Sequence, residues 1–435
     1  MTTKYKGKIT SIICAVSVAI FLPYQSVAEE QLNVPLYKPD MVKSQEVSEE
    51  ALQELVNTGR FSETTGQPIV RAFNADMVNV ENITTDGEGV YVAVLDTGLL
   101  PEAPFFFSDA NIAYDLAKGF SHDVYWDNEV GGIVLGPLRD DRGIASNYAS
   151  GHGTHVTSTI AGFSVNGSYW VEGIAPKVTI IPVLVLDAWV VDTPEGLQGF
   201  SGGTDEMISA GIKYVADLEL DGRVVINMSL GGASRSPIIE DAIDYALSKN
   251  VVVVASAGNE GEAGMGYPGG LPQVVSVGAI GWSQMLAMPN RWQEDVPEKT
   301  NSNDLLGNNT QYYLADYSSR PVKALGQKHK DLDVSAPGSN VVGPYKSAFA
   351  DNTNYYFLSG TSMAAPHVSA IAAMLLQSNP TLTPKEVEKK LVGASRGNPL
   401  PADGALIVDF DGLYDLSWKG GDYGSGVLQA DYVVN

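Results

Sequence analysis

The chain has 435 residues, 44% of them hydrophobic and 18% charged, with 45 glycines. That is a globular composition with apolar residues enough for one large core or two ordinary ones, and it excludes a disordered chain. Its 27 basic residues stand against 51 acidic ones, a balance that repels nucleic acid and anionic membranes and favours solubility and cation binding.

The first 28 residues read as an export signal. Lys4, Lys6 and Lys8 make a basic start, ITSIICAVSVAIFLPY is an apolar stretch, and Ser26-Val27-Ala28 before Glu29 is a small-residue cleavage site. The apolar run is short and reaches Pro23, which favours cleavage over an anchor helix. No later segment approaches transmembrane length. The only cysteine, Cys14, lies inside the signal and lacks the Leu-Ala-Gly approach of a lipid-anchor site. The exported chain is therefore expected to be free of disulfides, with no membrane attachment once the signal is cut. Its location is expected to be secreted or periplasmic. Cleavage leaves 24 basic against 51 acidic residues.

Residues 29–68 are polar and read as a short prosegment or arm, with one short helix over SEEALQELVNTG closed by Gly59. From 69 to 435 the pattern is that of one domain. GVYVAVL (89–95), VTIIPVLVL (178–186), RVVINMSL (223–230), NVVVVASAG (250–258) and QVVSVGAI (273–280) are unbroken apolar runs. Such runs are strands buried on both faces, as in parallel sheets. Helical spacing appears over 205–220 and over 239–250, where Asn250 suits a C-terminal cap. HVTSTIAG and SMAAPHVSAIAAMLLQS are apolar all round, as buried helices are. Alternating strands and helices predict a doubly wound α/β fold, a mostly parallel sheet with helices on both faces. The stretch 281–330 is polar and irregular, and reads as surface loops.

In open α/β sheets, reactive groups gather at the carboxyl ends of strands. Asp96 follows the strand in VAVLDTG, His152 opens a helix in GHGTHV, Asn259 follows the strand in ASAGNEG, and Ser362 opens a helix in SGTSMAAPHV. A serine hydroxyl needs an imidazole to take its proton, the imidazole needs a buried carboxylate, and the resulting oxyanion needs a donor. These four residues supply each part. Plainer readings compete: Asp96 as a turn residue and Ser362 as a helix cap.

Other histidines carry less. His152 and His155 at i, i+3 lack the glutamate of an HExxH metal site, so His155 reads as a packed helix residue, His367 as structural, and His122 and His329 as loop residues. GFSGG (199–203) fits the GxSxG elbow of α/β-hydrolases, but that elbow needs a strand directly before its serine and a histidine at the end of the order. DTPEGLQ precedes it, and the reading is set aside.

The sequence resembles the subtilisin-like serine proteases, the subtilases. VAVLDTG, GHGTHV, VINMSLGG, VVVVASAGNEG, GYPGGLPQVVSVGAI, DVSAPG and LSGTSMAAPHVSA match that family's motifs in order, from about residue 70 to the C-terminus. The resemblance implies Asp96, His152 and Ser362 as triad, with Asn259 and the Ser362 N–H as oxyanion hole. It implies an S1 pocket lined by Ser229, Leu230, Gly231 and Gly232 and by Ala255, Ser256, Ala257 and Gly258, with Gly266 near its base. Ser201, Gly202 and Gly203 would form an edge that pairs with an extended protein or peptide substrate. A monomeric exported endopeptidase with a neutral-to-alkaline optimum is expected. The alternatives are a dedicated processing protease with a narrow range, or a non-catalytic binding protein on the same fold.

The chain departs from the family pattern in places. Only 67 residues separate the cleavage site from Asp96, too few for a long folding prosegment. The gap from Asp96 to His152 is 56 residues and contains DVYWDNEVGGIVLGPLRDDRG. DAWVVDTPEGLQ (187–198) also looks inserted, and both would thicken the rim of the cleft. No cofactor is required for the chemistry. Structural Ca²⁺ is compatible with the acidic balance, but FSVNGSYW matches the family's calcium loop poorly and no ligand is assigned. Glu260 is a candidate for the S1 entrance.

Overall fold

Runs of β-branched residues become the centre of one sheet because both faces of each strand find an apolar layer. The computed structural model describes residues 38–39, 41–48, 60–61, 66–145, 150–283, 312–346, 353–400, 405–409 and 412–434. The expected signal and the expected helix ending at Gly59 lie outside the described residues. Two short strands occur in the N-terminal arm, where none was expected: β1 (Lys38–Pro39) and β2 (Lys43–Glu46).

The domain then runs through β3 (Val90–Asp96), β4 (Lys118–Asp127), β5 (Gly132–Arg142) and α1 (Gly151–Ala161). Next come β6 (Thr179–Leu184), β7 (Asp187–Thr193), β8 (Gly196–Gly202) and α2 (Asp205–Asp217). They are followed by β9 (Arg223–Met228), β10 (Leu230–Gly231), α3 (Pro237–Ser248) and β11 (Val252–Ser256). The last part holds β12 (Val275–Trp282), β13 (Tyr312–Leu314), β14 (Val334–Pro337), β15 (Val341–Tyr345), β16 (Asn354–Ser359) and α4 (Thr361–Ser378).

The main sheet has nine strands in the order β13-β12-β11-β9-β3-β6-β4-β5, with β14 also paired to β12. Its centre is parallel, and the outer pairs β4/β5 and β12/β13 are antiparallel. Successive residues of one strand face opposite cores. Val92, Val94, Val252 and Val254 join the layer that contains Ile371 and Met374 of α4. Ala93, Leu95, Val253 and Ala255 join the layer built with Ile208 and Ile212 of α2 and Ile243 of α3. This is the doubly wound arrangement that the continuous apolar runs predict. Asn250, at φ 65°, takes the left-handed turn that ends α3. α2 stops at Asp217 rather than 220, where Leu218 turns extended. Part of the expected loop over 281–330 is sheet: β13 is a buried edge strand, and residues 284–311 lie outside the described residues.

Three buried titratable groups give the fold a pH window. His155 donates from Nε2 to the Val341 carbonyl at 3.1 Å, and burial pushes it down to about 3. His367 donates from Nδ1 to the Met363 carbonyl at 2.8 Å and accepts from Asn74 Nδ2 at 2.9 Å; burial pushes it down to about 4. Both are neutral when folded and take a proton when unfolded, so their contribution is complete above the ordinary histidine pKa of about 6.5 and is lost as pH falls. Burial raises Asp333 to about 7, so its contribution is complete below the ordinary carboxyl range and is lost as pH rises through about 7. The thermal midpoint is therefore expected to fall on acidification below about pH 6.5. His367→Gln should flatten that slope in calorimetry, whereas an unchanged slope would remove His367 from the account.

Candidate active site

Asp96 is the last residue of β3, and its carboxylate turns toward the start of α1. Its Oδ1 accepts from the Thr97 N–H at 2.7 Å and from His152 Nδ1 at 2.8 Å. Asp96 is 1% exposed and His152 3%. A carboxylate accepts only, so Nδ1 carries the proton and Nε2 presents its lone pair. Among the described residues Nε2 has no hydrogen-bond partner.

The start of α1 is locked to the Asp96 turn. Gly153 N–H donates to Thr97 Oγ1 at 2.9 Å, Ser150 Oγ donates to the Thr97 carbonyl at 2.8 Å, and Leu100 N–H donates to Thr154 Oγ1 at 2.9 Å. Gly153 is required by this close approach, since a Cβ there would stand 2.3 Å from the Gly98 carbonyl oxygen and 3.2 Å from Asp96 Oδ1. Gly153→Ala is expected to cost about 1–3 kcal/mol in denaturant unfolding and to lower peptide hydrolysis. An unchanged midpoint with unchanged activity would contradict this packing.

Ser362 is the second residue of α4 and is fully buried. Its Oγ donates to the Ser229 carbonyl at 2.9 Å rather than to His152. Its own carbonyl accepts from Ser229 Oγ at 2.8 Å, and the sequence explains why that carbonyl is open. Pro366 stands four residues on and has no N–H to give it, so the helix leaves the Ser362 carbonyl without its usual donor. Ser229 is held in turn by Asn227 Nδ2 at 3.0 Å, and Asn227 Oδ1 accepts from Ser369 Oγ at 2.8 Å. This buried chain escaped the sequence reading, which gave Ser229 only a pocket-lining part. Pro366 was the signal that could have found it: it lies inside the helix, beyond the first turn.

Gly360 is the N-cap residue of α4 and offers no side chain. Asn259 takes that part from a distance: its Oδ1 accepts from the Thr361 N–H at 2.9 Å and from Thr361 Oγ1 at 3.1 Å. Because an amide N–H can only donate, the oxygen of Asn259 must face Thr361 and its NH₂ must face away. Ser362 is therefore not the cap of its helix.

The expected pocket residues converge. Gly232 and Tyr267 exchange both backbone hydrogen bonds at 2.9 Å, Gly266 N–H donates to the Ala257 carbonyl at 2.9 Å, and Gly258 N–H donates to Thr361 Oγ1 at 3.2 Å. Ser256 Oγ donates to the Leu230 carbonyl at 3.3 Å, and Ala255 pairs with Met228 just before Ser229. Gly231 and Leu230 form β10. Glu260 accepts from Ser319 Oγ at 2.9 Å, beside Gly258.

Ser201 and Gly202 end β8, which pairs with β7 from Asp187↔Gly202 to Thr193↔Gly196; Gly203 follows. This corrects the ground on which the GFSGG elbow was set aside. A strand does precede Ser201, but it runs on through Ser201 and Gly202, and the helix starts only at Asp205. There is no strand-to-helix turn at the serine, so the elbow reading still fails. A two-residue turn, Pro194-Glu195, hid the strand.

Both insertions are β-hairpins, and they pack on each other. Trp189 Nε1 donates to the His122 carbonyl at 3.0 Å, Ser121 Oγ donates to Asp187 at 2.8 Å, and Arg142 pairs with Asp187 at 2.9 Å. Together they line an open cleft of about 480 Å³. His122 lies in β4, not in a loop, and its ring bridges the Gly136 carbonyl and Thr204 Oγ1. His329 stands in a single 3₁₀ turn. In FSVNGSYW, a tight turn with Asn166 and Gly167 at φ 50° and 70° joins two short strands. Among the described residues no three or more His, Cys, Asp or Glu side chains gather as a metal site. None of the described helices is long and apolar enough to cross a membrane.

Comparison with known proteins points one way. The model of the subtilase family matches residues 87–408, about three quarters of the chain. Subtilisin DY of Bacillus licheniformis is 35% identical over 246 residues, covering 56% of this chain and 69% of its own length. A subtilisin of Bacillus sp. (strain TA39) is 30% identical over 349 residues, covering 78% of this chain and 68% of its own. Among solved structures, sphericase superposes with a TM-score of 0.54 and 26% identity, over 85% of this chain and 99% of that one. With the parallel sheet and the motif order already in place, these matches assign the chain to the subtilase family of serine endopeptidases.

Proposed function

We propose that Asp96, His152 and Ser362 are the catalytic triad of an exported endopeptidase. The observation that carries this reading is the buried 2.8 Å bond from His152 Nδ1 to Asp96, made at the strand end beside the helix that bears Ser362. The Ser362 hydroxyl turns from the Ser229 carbonyl toward His152 Nε2, which takes its proton as Oγ attacks the scissile carbonyl. Asp96 holds the imidazole tautomer and stabilises the imidazolium. The Asn259 NH₂ and the Ser362 N–H, free in the first turn of α4, donate to the oxyanion. His152 then gives its proton to the leaving amine, and water hydrolyses the acyl-enzyme by the same path in reverse.

Substrate lies extended between Ser201–Gly203 and Ser229–Gly231, a β-augmentation in which glycines allow the two backbones to approach. Its P1 side chain enters the pocket between Gly232, Ala255–Gly258 and Gly266, with Glu260 at the mouth. The enzyme acts as a monomer outside the cytoplasm, after its signal is cut. The two packed hairpins beside the Ser201 edge favour a second reading, a processing protease of narrow range.

One experiment tests both readings. Folded wild type should hydrolyse unstructured peptides, Ser362→Ala should not, and deletion of 189–197 should broaden the cleavage profile. Equal hydrolysis by the Ser362→Ala protein would overturn the triad, and an unchanged profile after the deletion would remove the narrow-range reading.

A further inference from the structure

The base of the proposed S1 pocket is a short segment, Met265-Gly266-Tyr267, that ties the two pocket walls together. Gly266 N–H donates to the Ala257 carbonyl of one wall, and Tyr267 exchanges both backbone bonds with Gly232 of the other, all at 2.9 Å. A Cβ on Gly266 would come no closer than 3.4 Å to its nearest neighbour, the Gly232 carbonyl oxygen, so the base has room for a side chain. Met265 is 4% exposed and packs with Ala257 and Leu332. Both of its backbone polar groups go to one side chain, that of Gln327. Gln327 Oε1 accepts from the Met265 N–H at 2.9 Å, and Nε2 donates to the Met265 carbonyl at 2.8 Å. The amide thus supplies the pair of bonds that a neighbouring strand would give.

Gln327 is buried, although it comes from a polar stretch that reads as surface loop. The loop is shaped to aim it. Val322 N–H donates to Gln327 Oε1 at 3.0 Å, and Gln327 N–H donates to the Val322 carbonyl at 3.2 Å, closing a ring over 322–327. Inside the ring Lys323–Leu325 form a 3₁₀ turn, and Gly326 at φ 79° sends the chain back. Gly264, at φ 125°, lets this ring rest on the pocket base. A Cβ there would stand 2.6 Å from Leu325 Cδ1 and 3.3 Å from Gln327 Oε1. Just upstream, Ser319 N–H donates to the Gly258 carbonyl at 3.0 Å and Arg320 N–H to the Gly261 carbonyl at 2.9 Å. The segment that carries Gln327 therefore also backs the turn that bears Asn259, through bonds that do not involve the Gln327 side chain.

We infer that Gln327 is a positioning residue for P1 recognition, holding the pocket base at one depth through Met265 and Gly266. The inference rests on the pocket reading above. A large apolar P1 side chain gains from close contact with a fixed surface, and a gap of a fraction of an ångström forfeits much of that contact. A small P1 side chain stays near the mouth and is indifferent to the base. Without the amide, the Met265 N–H and carbonyl are buried polar groups with no partner, and the segment must shift to satisfy them. Gln327 thus sets which side chain is accepted, while Asn259 and the triad set the rate of the chemistry.

The test uses the full chain and two peptides offered together, alike except for Phe or Ala at P1. Their relative cleavage reads the ratio of kcat/KM values and does not depend on how much of each variant is folded. Gln327→Leu removes the amide and should lower the Phe-to-Ala ratio about tenfold, the order set by one methylene group of misfit. The fall should appear in KM for the Phe peptide, with kcat near wild type. Gln327→Glu, ionised at alkaline pH, keeps an acceptor for the Met265 and Val322 N–H groups and loses the donor to the Met265 carbonyl. It should shift the ratio in the same direction by a smaller factor. Wild-type ratios in both variants overturn the inference, as does an equal fall for the two peptides, which would make Gln327 a residue of stability alone. Gly266→Leu reads the pocket assignment separately, since it should exclude Phe and spare Ala. A Gly266→Leu protein with the wild-type preference would place P1 elsewhere and overturn the pocket reading, and this inference with it.

Discussion

His152→Ala is expected to lower kcat by about 10⁶-fold, the order of loss known for the base in subtilisin relatives. The site has no substitute for this imidazole. His155 lies one turn further on, but its Nε2 is committed to the Val341 carbonyl and burial holds it neutral. His367 is spent on Met363 and Asn74. Ser362→Ala should cost a similar amount, and the double variant little more than either alone, because nucleophile and base act as one unit. Asp96→Ala should cost less, about 10⁴-fold, since the imidazole survives but loses its orientation. Steady-state kcat for the singles and the double reads this directly. Losses that multiply would mean that the two residues act independently.

Asn259 separates two roles within one side chain. Asn259→Asp keeps an oxygen acceptor for the Thr361 N–H and removes the NH₂ that faces away from it. It should lower kcat by about 10²–10³ with KM nearly unchanged, the range known for such a donor in subtilisin relatives. Its thermal midpoint should stay close to wild type, because the start of α4 remains capped. Asn259→Leu loses both functions and should show the same fall in kcat together with a lower midpoint, at about 0.5–2 kcal/mol for a lost cap. If Asn259→Asp keeps full kcat together with a wild-type midpoint while Asn259→Leu loses only stability, the side chain is only a cap.

Much of this was legible in the sequence because burial on both faces forces continuous apolar runs. VYVAVL, VVINM and VVVVAS could hardly be anything but central strands, and the residue ending or following each of them marks the reactive edge of the sheet. Asp96 and Asn259 could be read there for that reason. What stayed hidden lacks such a signal. The hairpin β4/β5 ends in Arg139, Asp140, Asp141 and Arg142, all exposed, so its outer half carries no alternation. β8 reads GLQGFSG, with three glycines that argue against a strand, and only its pairing to β7 makes it one. The arm is a strand because it meets two open backbone edges, a tertiary fact absent from KP and KSQE. Ser229 and Ser362 are 133 residues apart. The missing N–H of Pro366 was the one local trace of their contact.

The central claim is that Ser362 is a nucleophile activated by His152 and Asp96, and a serine-directed fluorophosphonate tests it most directly. Intact mass should show one adduct per folded wild-type chain, mapped to the peptide containing Ser362. Ser362→Ala should give none, and His152→Ala should label far more slowly. Folded wild type that takes no adduct, or an adduct that persists in Ser362→Ala, would contradict the account.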